Sequence, residues 1–223
     1  MERAYRNLGY FLLALPLIFA AGFWIPYLSE IPSFDPSITV PVHLHALLLF
    51  AWIVLLVVQP LAISSGNFRL HRTLGRTSYV LMPLIVISAA AMLHKEYHEH
   101  LAGGMHASAA LTAEFLSVCQ LGLLGTFYCL AIARIRRRDV AAHMRYMICI
   151  ALILLPAGLA RTFGYWLGIK QATSQTWCFI VIDLCLLSLV WLDRSRRLSP
   201  PYFQALAAYV AIEACWAALG RPV

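Results

Sequence analysis

Seven long apolar runs dominate this chain, at residues 8–28, 43–63, 74–93, 107–132, 144–166, 176–192 and 202–219. Each is close to the roughly 20 residues a helix needs to cross the hydrocarbon layer. In lipid, a spanning segment must satisfy its own backbone N–H and C=O groups, which leaves helices and closed barrels. Uninterrupted apolar runs of this length point to helices. With 61% hydrophobic and 12% charged residues, the chain also lacks the surface of a soluble domain, where about 25% charged residues is ordinary. The expectation is an all-α, seven-transmembrane-helix bundle forming a single integral membrane domain over 1–223.

Local signals refine the boundaries. The third and fifth runs have no turn signal in their leading flanks, so these helices are expected to begin earlier, near Phe68 and Asp139. Pro26, Pro32 and Pro36 fall outside the first helix, and Ser199-Pro200-Pro201 separates the last two. Pro83 and Pro156 fall within runs, where neighbouring groups can satisfy the freed carbonyl. The first run follows Arg3 and Arg6, but no small-x-small cleavage site closes it, so it reads as a helix and not a signal peptide.

The net charge of +7 is spread over short clusters between the runs, which is how orientation is encoded in a membrane protein. A cytoplasmic N-terminus puts thirteen of the seventeen Lys and Arg residues inside: Arg3, Arg6, Arg69, Arg72, Arg76, Arg134, Arg136, Arg137, Arg138, Arg145, Arg194, Arg196 and Arg197. Lys95, Lys170, Arg221 and Arg161 fall on or near the outer side, with the acidic Glu30, Asp35, Glu96 and Glu99. The N-terminus is therefore expected in the cytoplasm and the C-terminus outside, in a bacterial inner membrane. The basic clusters suit anionic lipid headgroups, so membrane lipids are the expected partner and nucleic acid is not. Cys119, Cys129, Cys149, Cys178, Cys185 and Cys215 all lie in apolar runs without zinc-finger spacing, and read as small core or lipid-facing residues.

Ionisable groups inside the runs are costly and usually point into the bundle. Glu114, Asp183 and Glu213, the candidate catalytic carboxylates, and Arg161 all map between mid-membrane and the outer surface. They imply either an outward polar cavity or a network in which Arg161 neutralises one carboxylate. Gln59, Thr112 and Gln120 can complete its hydrogen bonds. The last run has no lysine for a retinal Schiff base.

Four of the eight histidines crowd into His94–His106, "HKEYHEHLAGGMH". With His43 and His45 at the start of the second run, six candidate metal ligands gather outside: His43, His45, His94, His98, His100 and His106. His94 and His98 share a face if the third helix continues past Leu93. Zinc takes imidazole and carboxylate ligands and copper also accepts imidazole. His45, His94, His98 and His106, with Glu114 as base, can form such a centre and activate water against a lipid ester or amide. The HExxH motif is absent. His71 and His143 lie on the cytoplasmic side, at the starts of the third and fifth runs. Histidines thus alternate between faces along four helices. Paired as His45 with His106 and His71 with His143, they can hold one haem b toward each face, because imidazole is a neutral axial ligand for haem iron. Gly103, Gly104, Gly122 and Gly125 permit close approach of a macrocycle or of another helix.

The run "HRTLGRTSYV" (His71–Val80) resembles the HRxxGR element of a class of uncharacterised bacterial polytopic membrane proteins. The stretch "HMRYMICIALILLPAGLAR" is similar to the element that opens a later same-direction span in that class. The arrangement also resembles, in outline, the cytochrome b561 family, whose four-helix core holds two haems and passes electrons across a membrane. That resemblance implies His45, His71, His106 and His143 as ligands, and a quinone or other redox partner. This chain departs from the family in placing these histidines nearer the helix ends and in adding outer ones. Rossmann, Walker and serine-elbow motifs are absent. The reading carried forward is haem-linked electron transfer. Its alternatives are a zinc- or copper-dependent membrane enzyme with an outward His/Glu site, and a cofactor-free structural or assembly subunit that grips a membrane-protein partner.

Overall fold

The computed structural model describes Tyr5 and residues 7–33, 38–194 and 200–219. Arg3, Arg6, Asp35, Pro36, Arg196, Arg197, Ser199 and Arg221, which entered the topology reading, lie outside the described residues. The described secondary structure is helical: α1 (Leu8–Leu12), α2 (Ala14–Phe23), α3 (Val40–Ser64), α4 (Phe68–Ala102), α5 (Ala107–Arg136), α6 (Val140–Leu167), α7 (Gln171–Asp193) and α8 (Pro200–Ala218), with a 3-10 turn at Leu28–Glu30. Five of these helices, α3 to α7, are long and apolar enough to cross a membrane, and the chain is an integral membrane protein. Its exposed residues include Phe11, Val40, Leu47, Phe50, Val80 and Ile87, as contact with lipid requires.

Helix starts follow the local chemistry. α4 begins at Phe68, where the Asn67 side chain accepts a hydrogen bond from the Leu70 N–H at 3.0 Å. α6 begins after Asp139, whose carboxylate accepts from the Ala142 N–H at 3.0 Å. Both early starts agree with the absence of turn signals in the sequence, and both are N-caps that satisfy an otherwise orphaned donor. The first apolar run differs from expectation. It breaks at Leu13 and ends as a helix at Phe23, not near residue 28. Pro16 lacks an N–H and its ring clashes with the carbonyl four residues back, so the helix restarts with Pro16 in its first turn. Ile25, preceding Pro26, is steered away from helical geometry. α8, with 19 residues including Gln204 and Glu213, is not among those five spans.

The chain divides into two compact units, Met1–Met92 and Leu93–Val223, with the boundary inside α4. In the first, α3 packs on α1 and α2, and Trp52 is fully buried. Gly9 is required at that crossing: a Cβ there would stand 2.6 Å from Leu61 Cδ2 and 3.2 Å from the Leu61 backbone nitrogen. In the second unit α6 is central and contacts α5, α7 and α8. Its buried residues include Tyr146, Ile150 and Ile153, and Ile182 and Leu186 of α7 and Tyr202 of α8 are buried as well.

One polar lock lies in this core. Arg145 of α6 and Asp193 at the end of α7 are each 0% exposed. The Arg145 Nε donates to Asp193 Oδ2 at 2.5 Å, and its Nη1 donates to the Ala141 carbonyl at 2.9 Å. Counted in the sequence only as a cytoplasmic charge, Arg145 is thus a buried tie between helices. Removing one partner of such a pair strands a buried charge and costs roughly 3–5 kcal/mol, whereas an apolar pair of similar volume is often neutral. Asp193→Ala is therefore expected to lower the melting temperature of the detergent-solubilised protein sharply. The double variant R145M/D193L is expected to recover most of the loss, as followed by circular dichroism.

Candidate metal centre

α4 runs to Ala102, two turns beyond the point where its apolar run ends, so helical phase is kept through the histidine-rich stretch. Glu96 and His100 are four apart and share a face. The helix then ends in a Schellman turn: the Met105 N–H donates to the His100 carbonyl and the Gly104 N–H to the Leu101 carbonyl, each at 3.0 Å. Gly104 takes the left-handed conformation, φ +85°, that this cap demands and glycine supplies without penalty. The chain reverses, His106 stands at the N-cap of α5, and two turns later Glu114 comes back beside His100.

The result is a cluster of Glu96, His100 and Glu114, whose ligand atoms all lie within 4.8 Å of one another. His100 Nε2 is 3.3 Å from Glu114 Oε1. Glu114 is buried, His100 half-buried and Glu96 exposed. The site therefore has a fixed inner wall and an open outer edge. Arg161, in the last turns of α6, lies within electrostatic reach of Glu96 and donates to the Ala157 carbonyl at 2.7 Å.

The donor set suits a borderline divalent ion. Zinc binds imidazole nitrogen and carboxylate oxygen at about 2.0–2.2 Å, so two donors on a tetrahedral ion stand about 3.3–3.6 Å apart. The His100–Glu114 separation already matches. Glu96, exposed and on the last turns of a helix, has room to close the remaining distance. Three protein ligands leave a fourth position for water, as catalytic zinc sites do. One nitrogen with two hard oxygens is less suited to copper, which favours more nitrogen or sulfur.

The other sequence candidates are placed as follows. His94 and His98 do share a face of α4, but their rings pack edge to face at 4.4 Å and both are exposed. His106 is exposed. His43 Nδ1 lies 2.8 Å from the Tyr27 hydroxyl. His45 Nδ1 lies 2.9 Å from Ser88 Oγ, and since that hydroxyl donates to the Ile85 carbonyl, His45 is the donor. None of these joins the Glu96–His100–Glu114 group, the one such group found among the described residues. His71 is half-buried, and His143 Nδ1 donates to the Ala131 carbonyl at 2.9 Å. Asp183 and Glu213 lie apart from the cluster, on α7 and α8. Thr112 does not serve it, because its hydroxyl donates to the Ser108 carbonyl of its own helix. A Cβ added at Gly122 or Gly125 would meet nothing, so among the described residues these glycines mediate no helix contact. Glu96 was overlooked as a ligand in the sequence; its signal was the four-residue spacing to His100, readable once the helix is known to continue.

No protein-family model, curated protein or solved structure matches this chain.

The turn and the open glycines make opposite predictions. Gly104→Ala forces a side chain into left-handed geometry at about 1–2 kcal/mol, and is expected to lower both melting temperature and metal retention. Gly122→Ala, in a helix interior with open space, is expected not to lower the melting temperature. Thermal unfolding of both variants in one detergent checks the pair.

Proposed function

We propose that this chain is a metal-dependent membrane enzyme with a zinc-class divalent ion held by Glu96, His100 and Glu114. The observation that carries the reading is the convergence of those three donors across the α4–α5 turn within 4.8 Å. The topology proposed with it has seven spans, the N-terminus in the cytoplasm and the C-terminus outside, in a bacterial inner membrane. The clustering of Arg134 and Arg136–Arg138 at the far end of α5 supports that orientation, since Lys and Arg concentrate in cytoplasmic loops. The metal site then faces outward.

A bound ion of this class supplies a nucleophilic water near neutral pH and polarises a carbonyl. The chain's own residues do the rest. Buried Glu114 supplies the inner ligand beside His100. Exposed Glu96 completes the ligand set from the solvent side. Arg161 is placed to meet an anionic group, and exposed Tyr165 and Trp166 on the same end of α6 suit the water–lipid interface, where aromatic residues concentrate. The substrate class these features favour is an ester or amide of an anionic lipid.

Haem-linked electron transfer is the second reading, and it brings with it a quinone or protein redox partner. It draws support from His143, whose Nδ1–H is committed to the Ala131 carbonyl, leaving the lone pair of Nε2 as an axial donor. Metal-ligating histidines characteristically donate their other nitrogen in this way.

Elemental analysis and the visible spectrum of protein purified without chelator separate the readings. Near-stoichiometric zinc-class metal and no Soret band are expected. His100→Ala and Glu114→Gln should each weaken metal binding by more than the roughly 10–100-fold that loss of a supporting partner costs. H94A and H98A should leave it unchanged. A reducible Soret band that disappears in H143A would replace the zinc reading with the haem one.

A further inference from the structure

A second group of carboxyls lies in the same unit, away from the metal centre. α7 and α8 run antiparallel and pack together. Along their contact, Phe179 of α7 meets Trp216 of α8, ring centroids 5.5 Å apart and both buried. One turn further along each helix come Asp183 and Glu213, whose carboxyl groups lie within hydrogen-bonding reach of each other. One turn beyond Glu213 on the same face is Tyr209, 1% exposed and within electrostatic reach of both carboxyls.

The hydrogen-bond inventory of this group does not close. Asp183 Oδ1, Glu213 Oε1 and the Tyr209 hydroxyl are all buried and have no hydrogen-bond partner among the described residues. An unsatisfied polar group buried in an apolar region costs about 1–3 kcal/mol, and three at one place need an explanation. The two thiols nearest Tyr209 do not supply it. Cys149 donates to the Pro201 carbonyl at 3.7 Å, and neither Cys149 nor Cys178 forms a ligand group with the two carboxyls among the described residues.

We propose that Asp183, Glu213 and Tyr209 form a binding site for a small monovalent cation of the sodium class. Two carboxyls can hydrogen-bond only by sharing a proton, which leaves the pair with a single negative charge. A monovalent ion neutralises that charge, whereas a divalent ion would leave an excess of positive charge in lipid. The three open donors are all oxygens, the ligands hard cations take. Phe179 and Trp216 cover the pair on one side, and Tyr209 bounds it on the other. Membrane-embedded carboxyls mark ion pathways and proton relays. The site is independent of the metal reading, since it shares none of its residues.

Infrared difference spectroscopy of the full chain in nanodiscs, with sodium chloride exchanged against choline chloride, tests the assignment. Sodium is expected to perturb the protonated-carboxyl stretch saturably. Asp183→Asn and Glu213→Gln should abolish the response, Tyr209→Phe should raise the half-saturating concentration about tenfold, as loss of one polar contact does, and E114Q should leave it intact. Because carboxyl variants can fail to fold, the sodium dependence of the melting temperature is followed in the unsubstituted protein, where a rise is expected. An unresponsive wild-type band with no thermal shift overturns the site, and so does a response that survives in D183N and E213Q. A half-saturation unchanged in Y209F overturns the three-oxygen arrangement. Loss of metal at Glu96–His100–Glu114 with the sodium response retained would sink the enzyme reading alone.

Discussion

Lipid offers no hydrogen bonds, so every polar group this chain carries below the headgroups must find its partner within the protein. The helices meet that demand for the backbone, and side-chain chemistry decides how the helices are held together. Arg145 and Asp193 are the clearest case. Neither ion is tolerable alone in the core, so their pairing fixes the start of α6 against the end of α7. Tyr146, the next residue, repeats the tie to α8 by donating to Gln204 at 2.6 Å. Around these two bonds the apolar face of α6 packs on three neighbours, and the rest of the second unit is placed by them.

The same demand explains which parts of the structure were legible in the sequence. Apolar length alone marks α3 to α7, because a helix that must cross lipid cannot disguise its composition. The early starts of α4 and α6 were legible from flanks without turn signals, and the structure adds the caps that fix them, Asn67 and Asp139. The break at Leu13 had a visible cause in Pro16, yet a proline in an apolar run signals either a kink or a restart, and only packing decides. Arg145 was misleading for a different reason. Positive residues near helix ends are normally topology devices, and its partner Asp193 lies 48 residues away, beyond any local pattern.

The candidate site was half legible. The density of histidine around residues 94–106 drew attention to the right segment, and Glu114 was marked by its place inside an apolar run. The choice among the histidines depended on helical phase, and phase depended on where α4 stops. Because the helix continues to Ala102, His94 and His98 spend their proximity on each other, while His100 and Glu96 occupy the face toward Glu114. The four-residue separations are identical; what differs is the element each face meets. Composition cannot report that, since it follows from the Gly104 turn and the path of α5.

The second unit is asymmetric along its helices. At one end stand Arg134, Arg136, Arg137 and Arg138, and near them the carboxylate of Asp193 is bound by Arg145. Toward the other end and the middle lie Glu96, Glu114, Asp183 and Glu213, with Arg161, which donates to the Ala157 carbonyl and lies within electrostatic reach of Glu96. A carboxylate bonded to an arginine has its charge spent on holding the fold, although Asp193 Oδ1 is itself buried without a hydrogen bond among the described residues. Among the described residues Asp183 Oδ1, Glu213 Oε1 and the Tyr209 hydroxyl are buried without a partner, while Glu96, His100 and Glu114 bring their ligand atoms within 4.8 Å of one another. Evolution of stability alone would favour apolar replacements at such positions, as it does for many buried charges.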